Sequence, residues 1–238
     1  MKTLHIIAPD QPSGENFRAT IAAHGIDTHM DVVSIAPRVI GDRINTDASV
    51  VSDLATALSA GCSNCDAVAI ACNTLQLWLP QVAVKPQRVI TTFEAVTRLF
   101  PVKATRPVWL GTTVLVRELN KRDEFPTLLS LGNHRAQKVV QEIIWRVKAV
   151  FGADVTTAHA MEEIRNSTIL RDRVTLLGDL LQLSGVRRII LGCTELPIAV
   201  HAMGKPYSFK GIEVFDPAAL LAVYLKNLTN PEAAMPDA

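Results

Sequence analysis

Asp66-Ala67-Val68-Ala69-Ile70-Ala71-Cys72-Asn73-Thr74 and Arg188-Ile189-Ile190-Leu191-Gly192-Cys193-Thr194-Glu195 are two versions of one pattern. Each is a short apolar run, then a cysteine, then hydroxyl and polar residues. Apolar runs of four to eight residues bounded by turn signals read as buried strands. Both cysteines therefore fall where a strand ends and the chain turns toward a helix. In open α/β sheets that carboxyl edge is where ligands bind. The cysteines stand 193 − 72 = 121 positions apart, about half of the 238 residues. This spacing predicts an α/β fold of two pseudo-symmetric, doubly wound parallel-sheet domains, with the active site in the cleft between them.

Working outward, Leu4 to Ala8 and Met30 to Ala36 read as further strands of the first half. Pro9 to Glu15 reads as a turn-rich loop, Phe17 to His24 as a helix closed by Gly25, and 48–60 as a helix stopped by Gly61. In the second half, Val139, Val140, Ile143, Ile144 and Val147 recur at helical spacing and predict a helix over 136–151. A second helix is predicted over 168–184, and a last one from Pro217 to Leu228. Strands that alternate with helices in this way argue for parallel sheets. The predicted first domain takes 1–100 plus 207–238, the second 101–206.

The composition is that of a globular protein, 48% hydrophobic and 20% charged, with a net charge of +1. No block of like charge points to nucleic acid, and no apolar stretch approaches the length of a membrane span. The start, MKTLHIIAPD, is too short in apolar residues for a signal-peptide core, so a cytoplasmic location is expected. Four cysteines in a chain of this size do not make a disulfide framework. No two glycines are closer than seven positions, which excludes G-x-G-x-x-G and P-loop nucleotide cradles.

A single cysteine after an apolar strand is ordinarily a small buried hydrophobe. Two in matching contexts half a chain apart argue for chemistry. A nucleophilic cysteine wants a histidine partner, and none adjoins either motif. A zinc site is disfavoured too, because Cys62-x-x-Cys65 precedes the strand whose far end carries Cys72. A pair of thiols acting as base and acid on opposite faces of one Cα fits better, because stereoinversion needs that arrangement. Backbone N–H groups around Asn73-Thr74 and Thr194-Glu195 would lower the thiol pKa and hold a carboxylate. Glu195 would serve Cys193 as an acid/base partner.

These motifs resemble the pyridoxal-independent aspartate/glutamate racemase superfamily, most closely its aspartate racemase branch. The resemblance rests on Cys72-Asn73-Thr74 and on Gly192-Cys193-Thr194-Glu195-Leu196-Pro197; Glu195 stands where glutamate racemases usually carry histidine. Weaker matches are Gly41-Asp42-Arg43, Val147-Lys148-Ala149 and Asp216-Pro217-Ala218. The resemblance implies a cofactor-independent racemase of an acidic amino acid, without a metal, acting as a homodimer. It assigns proton transfer to Cys72 and Cys193. It assigns Asn73, Thr74, Thr112 and Thr194 to the α-carboxylate and amino groups, and Arg43 and Lys148 to the side-chain carboxylate. Ser13 is retained where relatives carry Gly-Gly-Met-Ser, the chain having Asp10-Gln11-Pro12-Ser13. After Gly111-Thr112-Thr113 it has Val114-Leu115-Val116-Arg117 instead of small hydroxyl residues. Two alternatives stay open: a maleate-type cis-trans isomerase on the same fold, and a non-catalytic ligand-binding or thiol-sensing homologue.

Overall fold

The structure, a computed structural model, describes residues 3–9, 11–26, 29–35, 49–62, 65–82, 88–152, 157–203, 209 and 211–229. The described residues fall into two compact units, one within Met1–Pro37, Asp47–Pro101 and Pro217–Ala238, the other within Val102–Asp216.

The first unit is built on a four-stranded parallel sheet of order β2-β1-β3-β4, with β1 at Thr3–Ala8, β2 at His29–Ser34, β3 at Ala67–Ile70 and β4 at Val89–Ile90. Its helices are α1 (Gln11–Ala23), α2 (Ser49–Cys62), α3 (Asn73–Gln76) and α4 (Thr92–Leu99). Alternation along the strands fixes the layers. Leu4, Ile6 and Ala8 share one face with Ala67, Ala69 and Ala71, and pack with Phe17 and Ile21 of α1. Leu221, Ala222 and Leu225 of the C-terminal helix α10 (Pro217–Thr229) close the same cluster. Tyr224 of α10 donates to Glu94 of α4 at 2.6 Å. Strands buried on both faces are apolar throughout, as β3 is. The order 2-1-3 places a topological switch point between β1 and β3, and Cys72 lies at the carboxyl end of β3.

The second unit holds a three-stranded parallel sheet of order β5-β6-β7, from Val108–Leu110, Arg188–Leu191 and Glu213–Phe215. Around it run α5 (Thr113–Arg122), α6 (His134–Gly152), α7 (Thr157–Asn166), α8 (Thr168–Leu183) and α9 (Glu195–Ala202). Val139, Val140, Ile143, Ile144 and Val147 of α6 are buried together with Val174, Leu177 and Leu181 of α8. Each such side chain contributes about 1.5–3 kcal/mol by leaving water. Helix α8 ends at a left-handed Gly185 (φ 68°), where Gly185 N donates to Gln182 and Val186 N to Leu181. This double closure is why the helix stops there. The sheets share a topology: β1-β3-β4 and β5-β6-β7 follow the same order, and the cysteine follows the middle strand of each set.

Two expectations are corrected. Of the range 207–216, the described residues 209 and 211–216 do not belong to the first domain: β7 pairs in register with β6, Ile189 opposite Val214, so the second unit runs through Asp216. Pro9 to Glu15 is not all loop, since α1 begins at Gln11. A proline in a first helical turn forfeits no helical hydrogen bond. Gly14 also lets this turn lie against the sheet, where a Cβ would collide with Val32 Cγ1. Among the described residues, no helix is long and apolar enough to cross a membrane.

Candidate active site

Cys72 caps α3 with an extended backbone (φ −112°, ψ 116°) and is 8% exposed. Asn73 and Thr74 follow it, both buried. Ser13, also buried, sits in the first turn of α1 directly after β1. Because β1 and β3 are neighbours in register, Ile7 opposite Ile70, Ser13 and Cys72 share the carboxyl edge of the first sheet. Gln76 closes this region from within: its side-chain amide donates to the Ile70 carbonyl at 2.9 Å and to Asn73 Oδ1 at 3.2 Å.

The second strand end carries the more developed chemistry. Cys193 is 6% exposed and its Sγ donates to Glu195 Oε2 at 2.6 Å. Thr194 Oγ1 donates to the same oxygen at 3.2 Å, and Lys148 Nζ lies 3.4 Å from Oε1. Glu195 is itself buried, and the Lys148 side chain is 25% exposed. The hydrogen bond from Sγ to Oε2 places the thiol proton between sulfur and carboxylate oxygen. The ammonium balances the carboxylate's charge in a site where an unpaired ion is costly. Moving the shared proton from Sγ to Oε2 makes a thiolate without changing the charge of the group.

Glycines let this edge form. Leu110 pairs with Leu191, which sets Gly111-Thr112 beside Gly192-Cys193. A Cβ on Gly192 would stand 2.7 Å from both the Leu110 carbonyl and the Trp109 ring. Thr112 caps α5, its side chain accepting from Leu115 N. One face of α6 supports the whole edge. Gln137 Nε2 donates to Gly111 O at 2.9 Å. Gln141 Oε1 accepts from both Thr113 N (2.8 Å) and Thr113 Oγ1 (3.0 Å). Lys148, further along, meets Glu195. Sequence alone gives no role to Gln76, Gln137 or Gln141. The one available signal is the i, i+4 placement of Gln137 and Gln141 beside the apolar stripe of α6.

The structure thus brings together Cys193, Thr194, Glu195 and Lys148, with Thr112 at the same sheet edge. Separately it gathers Cys72, Asn73, Thr74 and Ser13. Arg43, with all of 36–48, lies outside the described residues. Among the described residues, no cluster of histidine, cysteine and carboxylate groups could hold a metal ion.

No family model and no curated protein sequence matches the chain. Solved structures do. The chain is similar to an aspartate racemase from Picrophilus torridus, at a TM-score of 0.67 and 16% identity, over 97% of this chain and 95% of that one. It is similar to the glutamate racemase of Francisella tularensis bound to D-glutamate (TM-score 0.57, 16% identity, 100% and 84% covered). An allantoin racemase from Pseudomonas fluorescens also matches (TM-score 0.50, 12% identity, 97% and 92% covered). This chain has the racemase fold. In the racemase fold of this protein, each middle strand delivers one cysteine, and Cys193 comes with a carboxylate and an ammonium already in place.

Proposed function

We propose that the protein is a cofactor-independent amino-acid racemase, acting on an acidic amino acid and on aspartate first. The observation that carries this reading is the buried Cys193 thiol hydrogen-bonded at 2.6 Å to Glu195, a residue paired with Lys148. A structural cysteine has no need of a buried carboxylate; a cysteine that must gain and lose a proton does.

In the proposed reaction one cysteine, as thiolate, takes the Cα proton. The other, as thiol, returns a proton to the opposite face of the planar carbanion. After one turnover the thiolate has become a thiol and the thiol a thiolate, and exchange with solvent resets them. Glu195 holds the Cys193 proton when that residue must be the base; once Cys193 has taken the Cα proton, Glu195 releases the proton it held to solvent and Cys72 regains one from solvent. Asn73, Thr74, Thr112 and Thr194 are assigned to the α-carboxylate and amino groups. Arg43 and Lys148 are assigned to the side-chain carboxylate, Lys148 doing so while it pairs with Glu195. The Cα proton is weakly acidic, so stabilising the carbanion with fixed dipoles is the largest demand on such a site. Similarity to an aspartate racemase supports aspartate as the first substrate to try.

The test is a chiral assay. L-aspartate incubated with the purified protein, with no cofactor added, is expected to yield D-aspartate until the two are equal. Conversion of maleate with no action on aspartate or glutamate would replace racemisation by cis-trans isomerisation. Binding of these compounds without turnover would make the protein a ligand-binding homologue.

A further inference from the structure

The amino edge of the second sheet carries a cleft that the proton-transfer chemistry does not use. Val108 opens β5 and Arg188 opens β6, whereas Thr112 and Cys193 follow the opposite ends of those strands. The cleft at this edge is open and has a volume of about 640 Å³, within the ordinary range of small-molecule sites. Its lining holds four cations, Lys103, Arg106, Arg187 and Arg188, against one carboxylate, Asp123. Lys103 is balanced by Asp123 at 2.8 Å, and Arg188 by Glu213 of β7 at 2.8 Å. Arg187 is exposed, and its guanidinium meets no carboxylate among the described residues. Arg106 is half-buried and held in place: it donates to the Glu124 carbonyl at 2.6 Å, and its guanidinium lies 5.4 Å from the Phe125 ring centroid. A guanidinium already oriented loses little freedom on meeting an anion.

Cations near a helix C-terminus can instead answer its dipole. Here the last turn of α8 is already capped, since Leu180, Leu181 and Gln182 accept from the N–H groups of Ser184, Val186 and Gly185. The walls between the cations are apolar, formed by Val108, Pro126, Leu131 and Val186, and Leu131 is half exposed. Val102 and Leu183, each next in the chain to a lining residue, are more exposed still. Apolar exposure rimmed by charge of one sign fits a ligand of matching make-up.

We propose that this cleft binds a small organic anion, an acidic group on an apolar body, with the charge at Arg106 and Arg187 and the body against Leu131 and Val186. The site lies at the opposite end of β6 from Cys193 and does not depend on the racemase reading.

The probe is 2-naphthoate, titrated calorimetrically into the full-length protein at low salt. A Kd on the order of 0.1 mM is expected, weakened at least about tenfold for the neutral 2-naphthamide and by Arg187→Glu, a change on an exposed side chain. Should that variant not fold, Arg187→Gln carries the same test. Backbone amide resonances of 103–108, 123–131 and 184–188 are expected to shift on binding. Absence of binding, equal affinity for the amide, or undiminished affinity in the Arg187 variant would overturn the proposal. So would resonance shifts confined to 111–113 and 193–195, which would place the probe at the catalytic edge.

Discussion

Glu195 receives hydrogen bonds from two residues of its own loop, Cys193 and Thr194, and an ammonium from α6. Its carboxylate can therefore take up the Cys193 proton, and an amide in its place cannot. Glu195→Gln keeps the shape and most of the hydrogen bonding. It is expected to lower kcat for aspartate racemisation by roughly 10²-fold or more, in the range of general acid–base contributions, with KM within about threefold. Steady-state kinetics on the two proteins decide it; an unchanged kcat would remove Glu195 from proton transfer. Lys148 is placed to serve both the carboxylate and an incoming ligand. Lys148→Met is accordingly expected to raise KM and lower kcat together. A rise in KM alone would detach it from Glu195. The Cys193–Glu195 pairing was legible in the sequence because the partners are two positions apart. That of Lys148 with Glu195 was not, because it depends on how α6 packs against α9.

At the scale of elements, α6 acts as a bracket for the edge of the second sheet. Its apolar stripe buries Val140, Ile144 and Val147, and the adjoining Gln137 and Gln141 hold Gly111 and Thr113. Gln141→Leu leaves the Thr113 N–H and hydroxyl without that acceptor. It is expected to lower the unfolding free energy by about 1–3 kcal/mol, read as a shift in the urea midpoint at constant slope. The helix itself was legible from its periodicity, because five branched residues at helical spacing have few other solutions. The glutamines were not: in sequence, an inward amide looks like a solvent-facing one until its distant partner, the Gly111 carbonyl for Gln137 or the Thr113 N–H and hydroxyl for Gln141, is known. Likewise the turn-rich composition of Pro9 to Glu15 hid the start of α1. There, tertiary packing of Gly14 against Ala8 and Val32 overrides local preference.

For the whole molecule, strand identity and parallel pairing could be read from apolar runs alternating with helices. The exact end of the second unit could not. Glu213–Phe215 is a short strand whose sheet is decided by pairing with β6, which no local pattern encodes. The stability of the first unit carries a pH signature through His5, on β1. Burial lowers its pKa from 6.5, and the charge of Asp31 on the neighbouring strand opposes this in part. The unfolded chain therefore binds the His5 proton more readily than the folded one. Stability is expected to be intact above about pH 6.5 and to fall as the pH drops below it, until the folded His5 also protonates. Thermal midpoints between pH 8 and pH 5 should show the decline, and His5→Gln should flatten it. An identical decline in the variant would assign the effect elsewhere.

The claim on which all of this depends is proton transfer by two different thiols at one Cα. The most direct test is racemisation of L-aspartate in D2O, with deuterium measured at Cα in both enantiomers over the first few per cent of reaction. The account predicts deuterium in the newly formed D-aspartate and almost none in the recovered L-aspartate, because the proton returns from a second group. Deuterium appearing equally in both enantiomers from the start would contradict it.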